Sequence, residues 1–322
     1  MKPLTVLVIA DPTARHLAVL KNLPDETTIV VGTAAEAFDS AAAHAEVILT
    51  TFSKTEPLRT LMRMALKVQW IHSLSAGVEN TLFPELIESP LPLTNSRGIY
   101  ARSLGEFAMS AILFFAKDLR RMLRNQQARR WEQFDVEEVN GQTLGIIGYG
   151  EIGRAVAVRA HAFGMKILGV RRRPELSKSD AILDEIHSLD GRADVMRRSD
   201  YVLAAAPLTP ETRGLIGETE LRAMKSTGVI LNLGRGPVID EPALIRALES
   251  KLIRGAALDV FDQEPLPEGH PFWGMENVLL SPHCADHTAT WLFEAMEFFV
   301  SNFERFRAGE PLANVVDKRA GY

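Results

Sequence analysis

Short apolar runs recur along this chain at intervals that leave room for a helix between each pair, and no other feature constrains its fold as strongly. From residue 5 they are Thr5–Ala10, Thr28–Val31, Val47–Thr50 and Val68–His72. A helical stretch from about Arg102 to Arg121 follows. A second series then begins: Thr143–Ile147, Lys166–Val170, Tyr201–Ala204, Val229–Leu231, Ala256–Leu258 and Val278–Leu280. Strands that alternate with helices build parallel sheets covered on both faces. The sequence therefore predicts an α/β chain with two doubly wound parallel-sheet domains. A length of 322 residues also exceeds what one hydrophobic core comfortably serves.

The last segment sets Trp291, Leu292, Ala295, Met296, Phe298, Phe299, Phe303 and Phe306 at helical spacing. Such an amphipathic helix must bury one face, and it is expected to return to the first domain. That gives residues 1–100, completed by 289–322, as one domain and residues 101–288 as the other. With no low-complexity linker, helices join the two, and a ligand cleft is expected between them.

The chain carries 36 basic and 41 acidic residues, so neither nucleic acid nor an anionic membrane is implied as a partner. Leu4–Ala10, after Met1-Lys2-Pro3, is too short for a signal-peptide core and reads as a strand. Ala108–Ala116, between Glu106 and Lys117, is too short to span a bilayer and reads as a buried helix. Cys284 is the only cysteine, which excludes an internal disulfide and a cysteine-based zinc site and fits a reducing cytoplasm. As a free thiol it is expected to be a small buried hydrophobe without a role. His16, His44, His72, His161, His187 and His270 lack metal-ligand spacing, so no metal is implied.

Gly148-Tyr149-Gly150-Glu151-Ile152-Gly153 follows the strand Leu144–Ile147 and opens a helical stretch, Arg154–Phe163. In a dinucleotide site the first glycine permits the tight turn, the second admits a pyrophosphate to the backbone, and the third lets the helix pack closely. Tyr149, Gly150, Glu151 and Ile152 are the expected cofactor contacts at the helix N-terminus. The next strand ends in Arg171-Arg172-Arg173-Pro174, without the acid that holds a ribose 2′-hydroxyl in NAD sites. Taken alone, three arginines after a strand are a solvated turn. At this position they suit a 2′-phosphate, so NADP(H) is the expected cofactor, with NAD(H) as the alternative.

Further motifs are Gly141–Gly150, Pro207-Leu208-Thr209-Pro210-Glu211-Thr212-Arg213-Gly214-Leu215-Ile216, Asn232-Leu233-Gly234-Arg235-Gly236, Leu258-Asp259-Val260-Phe261-Asp262-Gln263-Glu264-Pro265-Leu266-Pro267 and Ser281-Pro282-His283. With these the chain resembles the D-isomer-specific 2-hydroxyacid dehydrogenases over nearly its whole length. The resemblance implies a Rossmann cofactor domain and a flavodoxin-like substrate domain, and it puts Arg235, Glu264 and His283 at the family's catalytic positions. Singly, Glu264 before a proline reads as a turn residue, His283 as a loop histidine and Arg235 as half of an ion pair. Together they suit keto-acid reduction. His283 can donate the proton, Glu264 can orient and charge the imidazole, and Arg235 can bind the carboxylate with its planar fork.

Ser75, Ala76, Gly77 and Val78, in Ser73–Glu79, are similar to the family's substrate-carboxylate loop, where successive amides form an anion nest. Asn95, Gly98 and Glu106 are read as architectural by the same resemblance. Pro207, Leu233 and Asp259 are read as cofactor-lining, with Asp259 toward the nicotinamide amide. Ala204-Ala205-Ala206 departs from the family by lacking a histidine before Pro207. His287 and Trp291 are candidates for the cleft mouth, although Trp291 suits core packing equally. Glyoxylate and hydroxypyruvate are the substrates the resemblance favours, with bulkier 2-keto acids next. It also implies a homodimer, with 102–121 and Arg129-Arg130-Trp131 as candidate contacts. Rival readings are a nucleotide-sensing corepressor-like binding protein, a phosphoglycerate dehydrogenase without a regulatory domain, and a formate- or phosphite-type dehydrogenase.

Overall fold

A computed structural model describes residues 3–51 and 55–322; Met1 and Lys2, at the head of the segment weighed against a signal peptide, lie outside the described residues. The chain divides into two compact units, one of residues 1–100 with 288–322 and one of residues 101–287.

The first unit holds a parallel sheet of β1 (Thr5–Ile9), β2 (Thr28–Gly32), β3 (Val47–Thr50), β4 (Trp70–Ser73) and β5 (Leu93–Asn95), in the order β2-β1-β3-β4-β5. That is the flavodoxin-like order. β1, β3 and β4 are buried along nearly their whole length because both faces are covered. Several of the connections expected as helices are short 3-10 turns, among them Arg15–Asn22, Ala35–Phe38 and Ala42–His44. The helix Trp291–Ala308 packs on Arg15–Asn22 and buries Ala295, Met296, Phe299 and Phe303. Phe299 stacks on Trp70 at 5.4 Å between ring centres, which fixes the helix against β4.

The second unit holds β6 (Thr143–Ile147), β7 (Lys166–Val170), β8 (Glu185–His187), β9 (Tyr201–Ala204), β10 (Val229–Asn232), β11 (Gly255–Leu258) and β12 (Val278–Leu280). Their order is β12-β11-β10-β9-β6-β7-β8, all parallel. Order reverses at β6, so β7 and β9 flank it and diverging connections leave a crevice at its C-terminal end, the usual ligand position in such sheets.

The stretch expected as one helix from Arg102 to Arg121 is two, Ala101–Ala116 and Leu119–Gln127. Asp118 breaks it: with φ +45° it leaves the helix, and its carboxylate accepts the Arg121 amide as an N-cap. Ala108, Met109, Ala111, Ile112, Phe115 and Ala116 are buried, and no helix among the described residues is long and apolar enough to cross a membrane. Trp131 is exposed.

Candidate functional site

The glycine turn after β6 is shaped by close approach. Gly148 has φ +105°, and a Cβ on it would lie 2.4 Å from the Ala206 amide nitrogen, so nothing larger fits between the turn and the segment after β9. A Cβ on Gly153 would meet the Gly148 carbonyl at 2.8 Å, whereas one on Gly150 would meet nothing within 4 Å. Open space therefore lies at Gly150, where the helix Glu151–Ala162 starts without a side-chain cap. First-turn amides have no acceptors within their helix and sit at its positive end. With Glu151 and Ile152 in that turn, the cradle fits the pyrophosphate of a dinucleotide. Tyr149 is buried and its hydroxyl donates to Asp180, so only its backbone faces the turn.

The arginines follow β7. Arg171 is half-buried, donating its amide to the His187 carbonyl and a guanidinium N–H to Ser177 Oγ. Arg172 and Arg173 are exposed, with Glu211 3.9 Å from Arg172. Pro207, after β9, is exposed at the head of a turn in which Thr212 Oγ1 donates to the Pro207 carbonyl. Leu233 is buried and donates its amide to Ala204.

Arg235 follows β10 between two glycines that have no room for a side chain. A Cβ on Gly234 would lie 2.7 Å from the Ala206 carbonyl oxygen, and one on Gly236 2.0 Å from the Phe261 carbonyl carbon. Asn232 closes the turn, accepting the Gly234 amide and donating to the Arg235 carbonyl. Arg235 itself is half-buried, and one guanidinium N–H bonds the Gly234 carbonyl at 2.8 Å.

His283 Nδ1 lies 2.7 Å from Glu264 Oε2, while the other Glu264 oxygen accepts the Phe261 amide at 2.9 Å. The carboxylate is thus fixed before it meets the imidazole. Its hydrogen bond raises the His283 pKa above the ordinary value, and its charge adds to this; burial and the charge of Arg235 oppose it. For Glu264, burial pushes up, but the bonds from His283 and Phe261 outweigh it and the pKa is lowered. The pair therefore favours imidazolium and carboxylate together, with Nε2 on the far side of the ring from Glu264.

Asp259 has a place the sequence did not reveal. It is 2 % exposed, and its Oδ1 accepts from Ser281 Oγ, the Cys284 amide at 2.9 Å and the Ala285 amide at 3.1 Å. These bonds bracket His283, whose φ of +52° is strained for a residue with a side chain. An acid directly after an apolar run, Ala256–Leu258, was the available signal. Cys284, expected to be buried, is exposed: its amide donates to Asp259, and its Sγ lies 3.5 Å from Ser281 Oγ.

In the first unit, the loop after β4 carries Ser75, Ala76, Gly77 and Val78. Tyr100 Oη donates to the Leu74 carbonyl, the Ser96 amide to Ser75 and Asn95 Nδ2 to Ala76. Three consecutive carbonyls are thus held from one side. Gly98 has φ +90° in the turn that follows Asn95. Trp291 lies against Tyr100 at 5.8 Å between ring centres, while His287 is exposed. Glu106 is 3.4 Å from Arg159 on the surface of the second unit. Among the described residues no group of three or more His, Cys, Asp or Glu is arranged to hold a metal.

Residues 109–285 match the family model for the D-isomer specific 2-hydroxyacid dehydrogenase NAD binding domain. The chain is 33% identical over 273 residues to a glyoxylate reductase of Korarchaeum cryptofilum (strain OPF8), covering 82% of this chain and 81% of that protein. It is 34% identical over 305 residues to a glyoxylate/hydroxypyruvate reductase B of Enterobacter sp. (strain 638), covering 92% and 90%. A crystal structure of a D-isomer specific 2-hydroxyacid dehydrogenase from Xanthobacter autotrophicus Py2, in complex with NADPH and MES, aligns over 100% of both chains with a TM-score of 0.86 and 28% identity. With the family model spanning more than half of its length and these relatives most of it, the chain belongs to the D-isomer specific 2-hydroxyacid dehydrogenase family.

Proposed function

We propose that the protein is an NADP(H)-preferring reductase that converts a small 2-keto acid, such as glyoxylate or hydroxypyruvate, to the D-2-hydroxy acid, with NAD(H) as the lesser cofactor. The observation that carries this reading is the 2.7 Å contact between His283 Nδ1 and a Glu264 carboxylate already fixed by the Phe261 amide. An imidazole backed in this way is an oriented proton donor at Nε2.

A reduced nicotinamide, when bound, supplies the hydride for C2 of the keto acid. His283 gives its Nε2 proton to the carbonyl oxygen, and Glu264 stabilises the imidazolium beforehand. Arg235 anchors the substrate carboxylate, and Ser75, Ala76, Gly77 and Val78 are assigned as the substrate-binding loop of the first unit. Gly150, Glu151 and Ile152 take the pyrophosphate, and Arg171, Arg172 and Arg173 take the 2′-phosphate. Tyr149 contributes through its backbone. Pro207, Leu233 and Asp259 belong to the wall of the cofactor site, Asp259 chiefly by fastening the His283 loop. In this reading residues 1–100 with 289–322 form the substrate domain and 101–288 the cofactor domain of a cytoplasmic homodimer. Relatives named as glyoxylate and glyoxylate/hydroxypyruvate reductases, and a family structure holding NADPH, support it.

The test is to follow NADPH and NADH oxidation separately with glyoxylate, hydroxypyruvate, pyruvate, phenylpyruvate and 2-ketogluconate. NADPH consumed well ahead of NADH, with a ranking among the acids, is the expected result. Binding of both nucleotides with oxidation of neither would favour a nucleotide sensor instead. His283→Ala is expected to lower turnover by about 10²–10⁴, the usual worth of a positioned acid.

A further inference from the structure

The connection from β7 to β8 carries the three arginines and is stitched to the glycine turn at one partly buried carboxylate. Tyr149 Oη donates to Asp180 Oδ2 at 2.9 Å, and Arg154 Nε donates to the same oxygen at 2.7 Å. Asp180 Oδ1 accepts the Ile182 amide at 3.3 Å, so both oxygens are engaged. The Asp180 side chain is 13% exposed.

Two of these donors come from the turn and the first turn of its helix; the third belongs to the connection itself. The Tyr149 amide also donates to Val170, and a Cβ on Gly169 would touch the Tyr149 ring at 3.4 Å, so the ring is wedged against β7. On the arginine side, Arg171 holds Ser177, and the Asp180 amide donates to the Ser177 carbonyl. Burial raises the Asp180 pKa, but Arg154 and Tyr149 outweigh it and keep the carboxylate charged; the Tyr149 hydroxyl, buried beside that charge, stays protonated as the donor.

We propose that Asp180 is a specificity-determining positioning residue: joined to Tyr149 and Arg154, it fixes the arginine-bearing connection against the glycine turn so that it receives a ribose 2′-phosphate monoester. This rests on the NADP(H) reading above. The Asp180 charge, which could repel such a phosphate, is engaged by Tyr149, Arg154 and the Ile182 amide.

The experiment is calorimetric titration of the intact protein with 2′,5′-ADP and with 5′-AMP, for the wild type, Asp180→Asn and Tyr149→Phe. The wild type is expected to prefer 2′,5′-ADP. Asp180→Asn should reduce that preference about tenfold, the equivalent of one weakened charge-assisted hydrogen bond, with 5′-AMP affinity within about twofold of the wild type. Tyr149→Phe should move the preference the same way and serves alone if Asp180→Asn does not fold. A wild type without preference overturns the arginine assignment and this proposal with it. A wild-type preference that both variants retain overturns the role of Asp180 only. Parallel loss of both nucleotides marks a general structural part and equally overturns it.

Discussion

His72 couples acid to the stability of the unit that carries the Ser75–Val78 loop. It lies on β4 with 0% exposure, among Trp70, Phe298 and Phe299. Its Nδ1 lies 2.7 Å from Thr94 Oγ1, which also accepts the Trp70 indole N–H. Burial lowers its pKa from 6.5 to about 3. The folded unit therefore keeps the ring neutral where the unfolded chain would charge it. Stability from this source is complete above pH 6.5 and is lost as pH falls toward 3. At pH 4.5, two units below the unfolded value, the loss is about 2.7 kcal/mol at about 1.36 kcal/mol per unit. Replacing His72 with Phe keeps an aromatic ring, removes the titration and forfeits the bond to Thr94 Oγ1 and the longer 3.5 Å contact of Nε2 with Ser96 Oγ, together about 1 kcal/mol at neutral pH. The two stability curves should then cross near pH ~6, with the variant ahead by roughly 1.7 kcal/mol at pH 4.5. Urea unfolding at half-unit pH intervals, followed by near-ultraviolet circular dichroism, reads this directly. Parallel curves from pH 7 to 4.5 would refute the argument.

Four other substitutions probe the site. Reduction requires protonated His283, so its raised pKa holds activity to higher pH; Glu264→Gln, keeping the shape but removing the charge, should shift the alkaline fall of kcat/KM to lower pH, and an unmoved limb would separate Glu264 from the proton donor. Asp259→Asn should lower kcat about tenfold by weakening the bonds that bracket His283, yet add nothing to His283→Ala; independent effects in that double-mutant cycle would count against a shared role. Gly236→Ala forces a Cβ toward the Phe261 backbone and should cost roughly 1–3 kcal/mol with loss of turnover, measured by thermal melting and steady-state rates. Gly150→Ala meets open space, so melting should hardly change while dinucleotide affinity falls; unchanged affinity would move the pyrophosphate elsewhere.

The sheets were legible because a strand buried on both faces must be apolar along its length, a signal that survives without tertiary context. β5 and β8 were not: Leu93-Thr94-Asn95 and Glu185-Ile186-His187 carry too few apolar positions to stand out, whereas the equally short β12 is apolar throughout. The break at Asp118 escaped for a related reason, since helix propensity sums over many residues whereas one capping carboxylate decides where a helix ends.

The site divides along the same line. Gly148, Arg235 and His283 announce themselves because each sits at a strand's C-terminal end in a short motif whose residue types match a chemistry. Asp259, named only as cofactor-lining, does not announce its bonds, and Asp180 announces nothing, although both hold such motifs in place: Ser281, Cys284 and Ala285 lie 22–26 residues from Asp259, and Tyr149 and Arg154 lie 26–31 from Asp180. A carboxylate that accepts two or three hydrogen bonds looks in sequence like any other acid; only the fold brings its donors together. What the sequence reads well are groups that face a ligand, since the ligand's chemistry dictates their type. What it reads poorly are groups that face other groups of the protein, where several residue types would serve and geometry selects among them. The Asp259→Asn and Asp180→Asn experiments test that second class. If nucleotide preference survives Asp180→Asn and kcat survives Asp259→Asn, the ligand-facing motifs are sufficient by themselves, and the carboxylates behind them serve stability alone.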